Sequence, residues 1–129
     1  MNYLGIDFGL KHLGLSLAQG PLAFPLTQKT YFSGKKIFRF LLQIIKEYEI
    51  EAMVIGITQG KLAPKIKTFA TKLSQLANLP IYYQDETLSS YEAKIKMIQA
   101  QAPQKKRRQD HKIAATIILQ SYLDDLSKH

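Results

Sequence analysis

The chain has 129 residues, 46% of them apolar, with 18 Lys and Arg against 10 Asp and Glu and no cysteine. That length suits one domain, residues 1–129, with a proper core, and is too short for two large lobes. Disulfides and cysteine-ligated zinc are excluded, and a reducing compartment fits. The net charge of +8 suits a polyanionic partner as well as it suits a merely soluble basic surface. Clustering tips the balance towards nucleic acid, because "QKKRRQDHK" (104–112) holds five of the eighteen basic residues, Lys105, Lys106, Arg107 and Arg108 among them. Apolar runs fall short of a membrane span and no basic stretch leads into an apolar one at the N-terminus, so a cytoplasmic protein without a membrane partner is expected. The three histidines, His12, His111 and His129, lack the spacing of a zinc site.

Residues 3–8, 13–18 and 21–28 read as three short strands, and the turn signals at Gly9 and at Gly20–Pro21 suit an antiparallel meander. Residues 35–48 carry Ile37, Leu41, Ile44, Ile45 and Tyr48 at helical spacing. "AMVIGI" (52–57) is a continuous apolar run, the mark of a strand buried on both faces. Pro64 opens a second helix with Ile66, Phe69, Ala70, Leu73, Leu76 and Ala77 on one stripe and Asn78 at its C-cap. "PIYYQDE" (80–86) is a fifth strand, Ser89 and Glu92 form a capping box for a third helix, and a loop around Pro103 leads to a last, largely buried helix over 109–126. The order βββαβαβαα predicts a mixed five-stranded sheet with right-handed crossovers and helices on both faces, an α/β fold.

Most carboxylates sit where solvated charges belong, but Asp7, Asp85, Glu86 and Asp110 do not. Asp7 ends the first strand, Asp85–Glu86 ends the last, and Asp110 opens the final helix, so all four fall on the edge where α/β sheets build their sites. Each has a plain reading, Asp7 as a cap of the turn at Gly9 and Asp110 as a helix N-cap. Carboxylates converging on one edge repel unless a cation lies between them, and Mg²⁺ or Mn²⁺ prefers such oxygen ligands. Such ions activate water and stabilise the leaving oxygen in phosphodiester cleavage. Ala114 and Ala115 let the final helix approach the sheet, while Gly5, Gly9 and Gly14 give the hairpin its bends and permit backbone approach to a phosphate. Lys11 sits at the hairpin tip, where it can meet a phosphate.

"GIDFGLKHLG" resembles the hairpin that opens the YqgF/RuvX family of pre-16S rRNA nucleases, also called Holliday-junction-resolvase-like proteins. "DETLSSYEA" (85–93) is similar to the family's acidic motif, and "QDHKIAATIILQSYL" (109–123) to its final helix. The resemblance implies an RNase H-like fold and a metal-binding catalytic triad of Asp7, Glu86 and Asp110. It further implies a hydrolase of rRNA precursors or branched DNA, active in ribosome biogenesis with ribosomal particles as partners, as a monomer or weak homodimer. Three positions depart from the pattern: His12 stands where the family has arginine, and Thr58 and Gln59 replace the polar contact of its loop. A non-catalytic nucleic-acid or ribosome-binding factor is the competing reading. A phosphotransferase fragment is a third, on the likeness of "DFGLKHLG" to a kinase phosphate hairpin, but it needs two lobes.

Overall fold

A computed structural model describes residues 1–30, 34–58, 60–85 and 111–127. The elements are β1 (Tyr3–Phe8), β2 (His12–Ala18), β3 (Ala23–Thr30), α1 (Gly34–Glu47), β4 (Ala52–Ile57), α2 (Ala63–Ala77), β5 (Ile81–Asp85) and α3 (His111–Ser127). The expected capped helix after Ser89 and the loop at Pro103 lie outside the described residues. The five strands form one sheet in the order β3-β2-β1-β4-β5. β1, β2 and β3 make the expected antiparallel meander, while β1–β4 and β4–β5 are parallel. Among the described residues no helix is long and apolar enough to cross a membrane.

Alternation along β1 and β2 divides the interior in two. Leu4, Ile6, Leu13 and Leu15 join Ile37 and Leu41 of α1 and Ile66 and Leu73 of α2 in the larger core. The residues between them are small: Gly5, Gly14, Ser16 and Ala18. On that second face Val54 packs with Ile118 and Leu119 of α3. β4 is buried along almost its whole length because strands flank it on both edges and helices cover both faces. Asn78 ends α2 in the left-handed conformation, φ 55°, its N–H donating to Ser74 O, as its sequence position predicts.

β3 runs two residues later than expected and contains Pro25, which an edge strand tolerates, beside a shift of register at Leu15/Ser16. α3 is less buried than its composition suggests: Ala115, Ile117, Ile118 and Leu119 are buried, whereas 124–127 are exposed. The reason is length. Seventeen helical residues span about 25 Å and six strand residues about 20 Å, so the last turn of α3 overruns the sheet.

Glycine at 5 and 14 has a steric reason different from the expected bends. Neither has a left-handed φ; instead, a Cβ on Gly5 would overlap Ser16 Oγ and stand 2.8 Å from Leu119 Cβ, and one on Gly14 would overlap the His111 carbonyl. α3 therefore lies directly on backbone. Ser16, fully buried, donates from Oγ to Ala115 O at 2.7 Å, and Gln120 accepts from Ala23 N–H and donates to Pro21 O. Gly14→Ala should destabilise the fold by about 2 kcal/mol or more by lifting the start of α3, whereas Gly20→Ala, with open space around it, should cost little. Urea denaturation of both variants checks this, and equal midpoints would contradict it.

Candidate active site at the C-terminal edge of β1

Because β1, β4 and β5 are parallel, their C-terminal ends share one edge of the sheet. α3 runs antiparallel to β1, since His111 lies over Gly14 near the end of β1 and Tyr122 meets Tyr3 at its start. Its N-terminus therefore opens on that same edge. Asp7 is there, paired across β2 with Gly14, which in turn pairs with Gln28 of β3. Directly opposed residues share a face, so Asp7 and Gln28 flank a position that carries no side chain.

The backbone of His111 fills that opening, and its ring turns to Asp7. Its Nδ1 stands 3.1 Å from Asp7 Oδ2, with the His side chain 34% and the Asp side chain 17% exposed. The first turn of α3 adds a favourable helix-dipole field for the carboxylate. His12 stacks on His111, ring centroids 5.2 Å apart and planes 19° off parallel, and its Nδ1 lies 2.9 Å from Thr30 Oγ1. The turn-capping role open to Asp7 is filled by backbone: Gly9 N–H donates to His12 O at 2.9 Å. Among the described residues the Asp7 carboxylate is thus held by α3. Lys11 is exposed at the hairpin tip.

Gln28 Oε1 is buried without a hydrogen-bond partner, the sole side-chain atom so found among the described residues. A buried orphan acceptor two strands from Asp7, on the same face of the sheet, calls for a donor or a cation. Glu86, Asp110, Lys105, Lys106, Arg107 and Arg108 lie outside the described residues; their described neighbours are Asp85, exposed at the end of β5, and His111 itself. Among the described residues no three His, Asp or Glu side chains form a metal-binding group. Asp7 nevertheless fits a divalent cation. It is a hard oxygen donor, partly exposed, and only its Oδ2 is bonded to a described residue. An apolar cavity of about 430 Å³ on the other face, between α1 and α2, is floored by Phe8, Phe38 and Phe69 and rimmed by Lys65 and Lys72. Among the described residues no carboxylate lines it.

Sequence reasoning names His12 as a departure from the family's arginine and sets His111 aside for want of zinc-site spacing; it gives neither a place in the site, and it passes over Gln28. A usable signal existed for one of them: His111, Ala115 and Leu119 recur every fourth residue, one stripe of the helix. Gln28 had none, because its place beside Asp7 depends on two strand registers.

Among solved structures the chain is similar to the RuvC of T. thermophilus in complex with a Holliday junction substrate, with a TM-score of 0.62 at 20% identity over 95% of this chain and 93% of that one. The fold is the RNase H-like fold of the resolvases. A profile of the RuvX family, described as Holliday junction resolvase, matches residues 1–125, and the chain belongs to that family. Relatives carrying the name "Putative pre-16S rRNA nuclease" include one from Syntrophus aciditrophicus (strain SB), 33% identical over 99% of this chain and 91% of its own length. Another, from Geobacillus sp. (strain WCH70), is 36% identical over 96% of this chain and 98% of its own length.

Gln28→Leu removes the orphan acceptor at similar volume. In metal-free buffer it should stabilise the protein by about 1 kcal/mol, read as a higher thermal midpoint; a lower midpoint would show that Gln28 already has a partner.

Proposed function

We propose that this chain is a divalent-metal-dependent endonuclease, one RNase H-like domain over residues 1–129, that hydrolyses phosphodiester bonds at the 5′ end of pre-16S rRNA. Membership of the RuvX family supports a nuclease, and the names of the relatives point to the rRNA precursor. The observation that carries the reading is Asp7, a partly exposed carboxylate at the C-terminal end of the central strand, held by the first residue of α3.

In this reading Asp7, Glu86 and Asp110 hold Mg²⁺ or Mn²⁺. Chain connectivity supports two of the three: Glu86 follows Asp85, the last residue of β5, in the sequence, and Asp110 precedes His111, the first described residue of α3. The ion, when bound, supplies a water lowered in pKa and a positive charge beside the leaving oxygen. The chain's residues do the rest. Asp7 brings negative charge to an edge that a basic protein otherwise presents to phosphates. Gly14, without a side chain, lets α3 set His111 against Asp7. Lys11 at the hairpin tip, with Lys105, Lys106, Arg107 and Arg108 preceding Asp110, holds the phosphates on either side of the cut. The enzyme works in the cytoplasm on ribosomal particles or their precursor RNA, as a monomer or weak homodimer.

Asp7→Asn should lower Mn²⁺- or Mg²⁺-dependent cleavage of a pre-16S rRNA end by about 100-fold or more, since hard cations depend on ligand charge. Binding of the same RNA should be kept. Cleavage by Asp7→Asn at the wild-type rate would remove Asp7 from the site. Wild-type protein that cleaves neither this RNA nor a four-way DNA junction would leave the non-catalytic binder, which the Thr58–Gln59 departure favours.

Replacing Lys105, Lys106, Arg107 and Arg108 together with Ala should flatten the salt dependence of RNA binding by up to about three units of log–log slope for a single strand. An unchanged slope would assign that segment a solubilising role only.

A further inference from the structure

Resting on the reading of Asp7 as a metal ligand, we propose that His111 ligates the same ion through Nδ1, so that the site is a mixed nitrogen–oxygen site and not an all-carboxylate one. The α3 residue whose side chain meets Asp7 is His111. That position is fixed along its stripe: Ala115 O receives the buried Ser16 hydroxyl, and Leu119 packs against Gly5. Sliding or rotating α3 to bring a different residue to Asp7 would break both contacts.

The spacing suits a shared ion. Two neighbouring ligands of an octahedral cation, each roughly 2.1 Å from it, stand roughly 3 Å apart. Asp7 Oδ2 and His111 Nδ1 are 3.1 Å apart. An ion can therefore replace the proton they share with little movement of either side chain. Metal-ligating imidazoles are held in orientation by a neighbour; here the His12 ring stacks on His111 and is itself held by Thr30 Oγ1. Gln28 Oε1, buried and without a partner, supplies a neutral oxygen on the same face of the sheet. The other role the geometry offers His111 is a hydrogen bond that orients Asp7 without touching the ion. The two roles differ in one observable, a metal–nitrogen bond. They also differ in metal preference, because imidazole suits transition ions while Mg²⁺ favours oxygen.

Mn²⁺ is titrated calorimetrically into the full chain and its variants, and the Mn²⁺-loaded proteins are examined by pulsed electron paramagnetic resonance for coupling to a ligand nitrogen. Wild type should show that coupling, and His12→Phe, which preserves the ring stack, should show it too. His111→Ala should bind Mn²⁺ about tenfold or more weakly. His111→Asp restores a donor, so it should bind Mn²⁺ without nitrogen coupling, and its preference for Mn²⁺ over Mg²⁺ should fall about tenfold. Binding that is lost in Asp7→Asn but shows no nitrogen coupling in wild type overturns the role of His111 and leaves Asp7 in place. So does coupling that survives in His111→Ala and vanishes in His12→Phe. Binding unchanged by Asp7→Asn, or absent from wild type, overturns the metal reading of Asp7 and this inference with it.

Discussion

The close contact between α3 and a strip of bare backbone is the constraint on which the rest of the structure depends. A helix normally stands off a sheet by the thickness of two layers of side chains. Here Gly5 and Gly14 remove one of those layers, and the carbonyls of His111 and Ala115 come down to the strands. Ser16 fills the remaining gap with a hydrogen bond and Gln120 fastens the β2–β3 turn, so the helix is fixed in both translation and rotation. Because α3 runs antiparallel to β1, its first residue falls at the end of that strand, where Asp7 is. Position and chemistry thus follow from two absent side chains.

Electrostatics gives this placement its meaning. The protein carries a large positive excess, and α1 and α2 contribute only one acidic residue between them, Glu47. A carboxylate at an open sheet edge in such a molecule is the place where its surface is not built to repel a cation. The imidazole beside it neutralises Asp7 only when protonated, and a divalent ion does so more fully. At the far end of α3 the chemistry differs. Tyr3, Tyr82 and Tyr122 pack ring on ring, and burial, followed by the neighbouring phenols of Tyr3 and Tyr82, raises the Tyr122 hydroxyl above its usual range. That end anchors the helix and, among the described residues, bears no carboxylate–imidazole pair.

Much of the fold was legible in the sequence because it depends on local patterns. The apolar run of β4, the period of α1 and α2, the left-handed cap at Asn78 and the alternation that forces parallel pairing all come from neighbours in the chain. The site was legible in part. Asp7 could be picked out as a charge ending an apolar strand, but its partner could not, because the Asp7–His111 pair joins residues 104 positions apart. The sequence assigns Gly5 and Gly14 to the bends of the hairpin and to backbone approach to a phosphate; their need is steric and appears only when α3 is in place. Gln28 became visible only through the row Asp7–Gly14–Gln28, which requires the registers of two strand pairs.

The most direct test of this account is a crystal structure of the Mn²⁺-soaked protein with anomalous data collected at the manganese edge. A single strong peak is expected at the C-terminal end of β1, within bonding distance of a carboxylate oxygen of Asp7 and beside the His111 ring. A peak elsewhere on the molecule, or none at Asp7 at millimolar Mn²⁺, would contradict it.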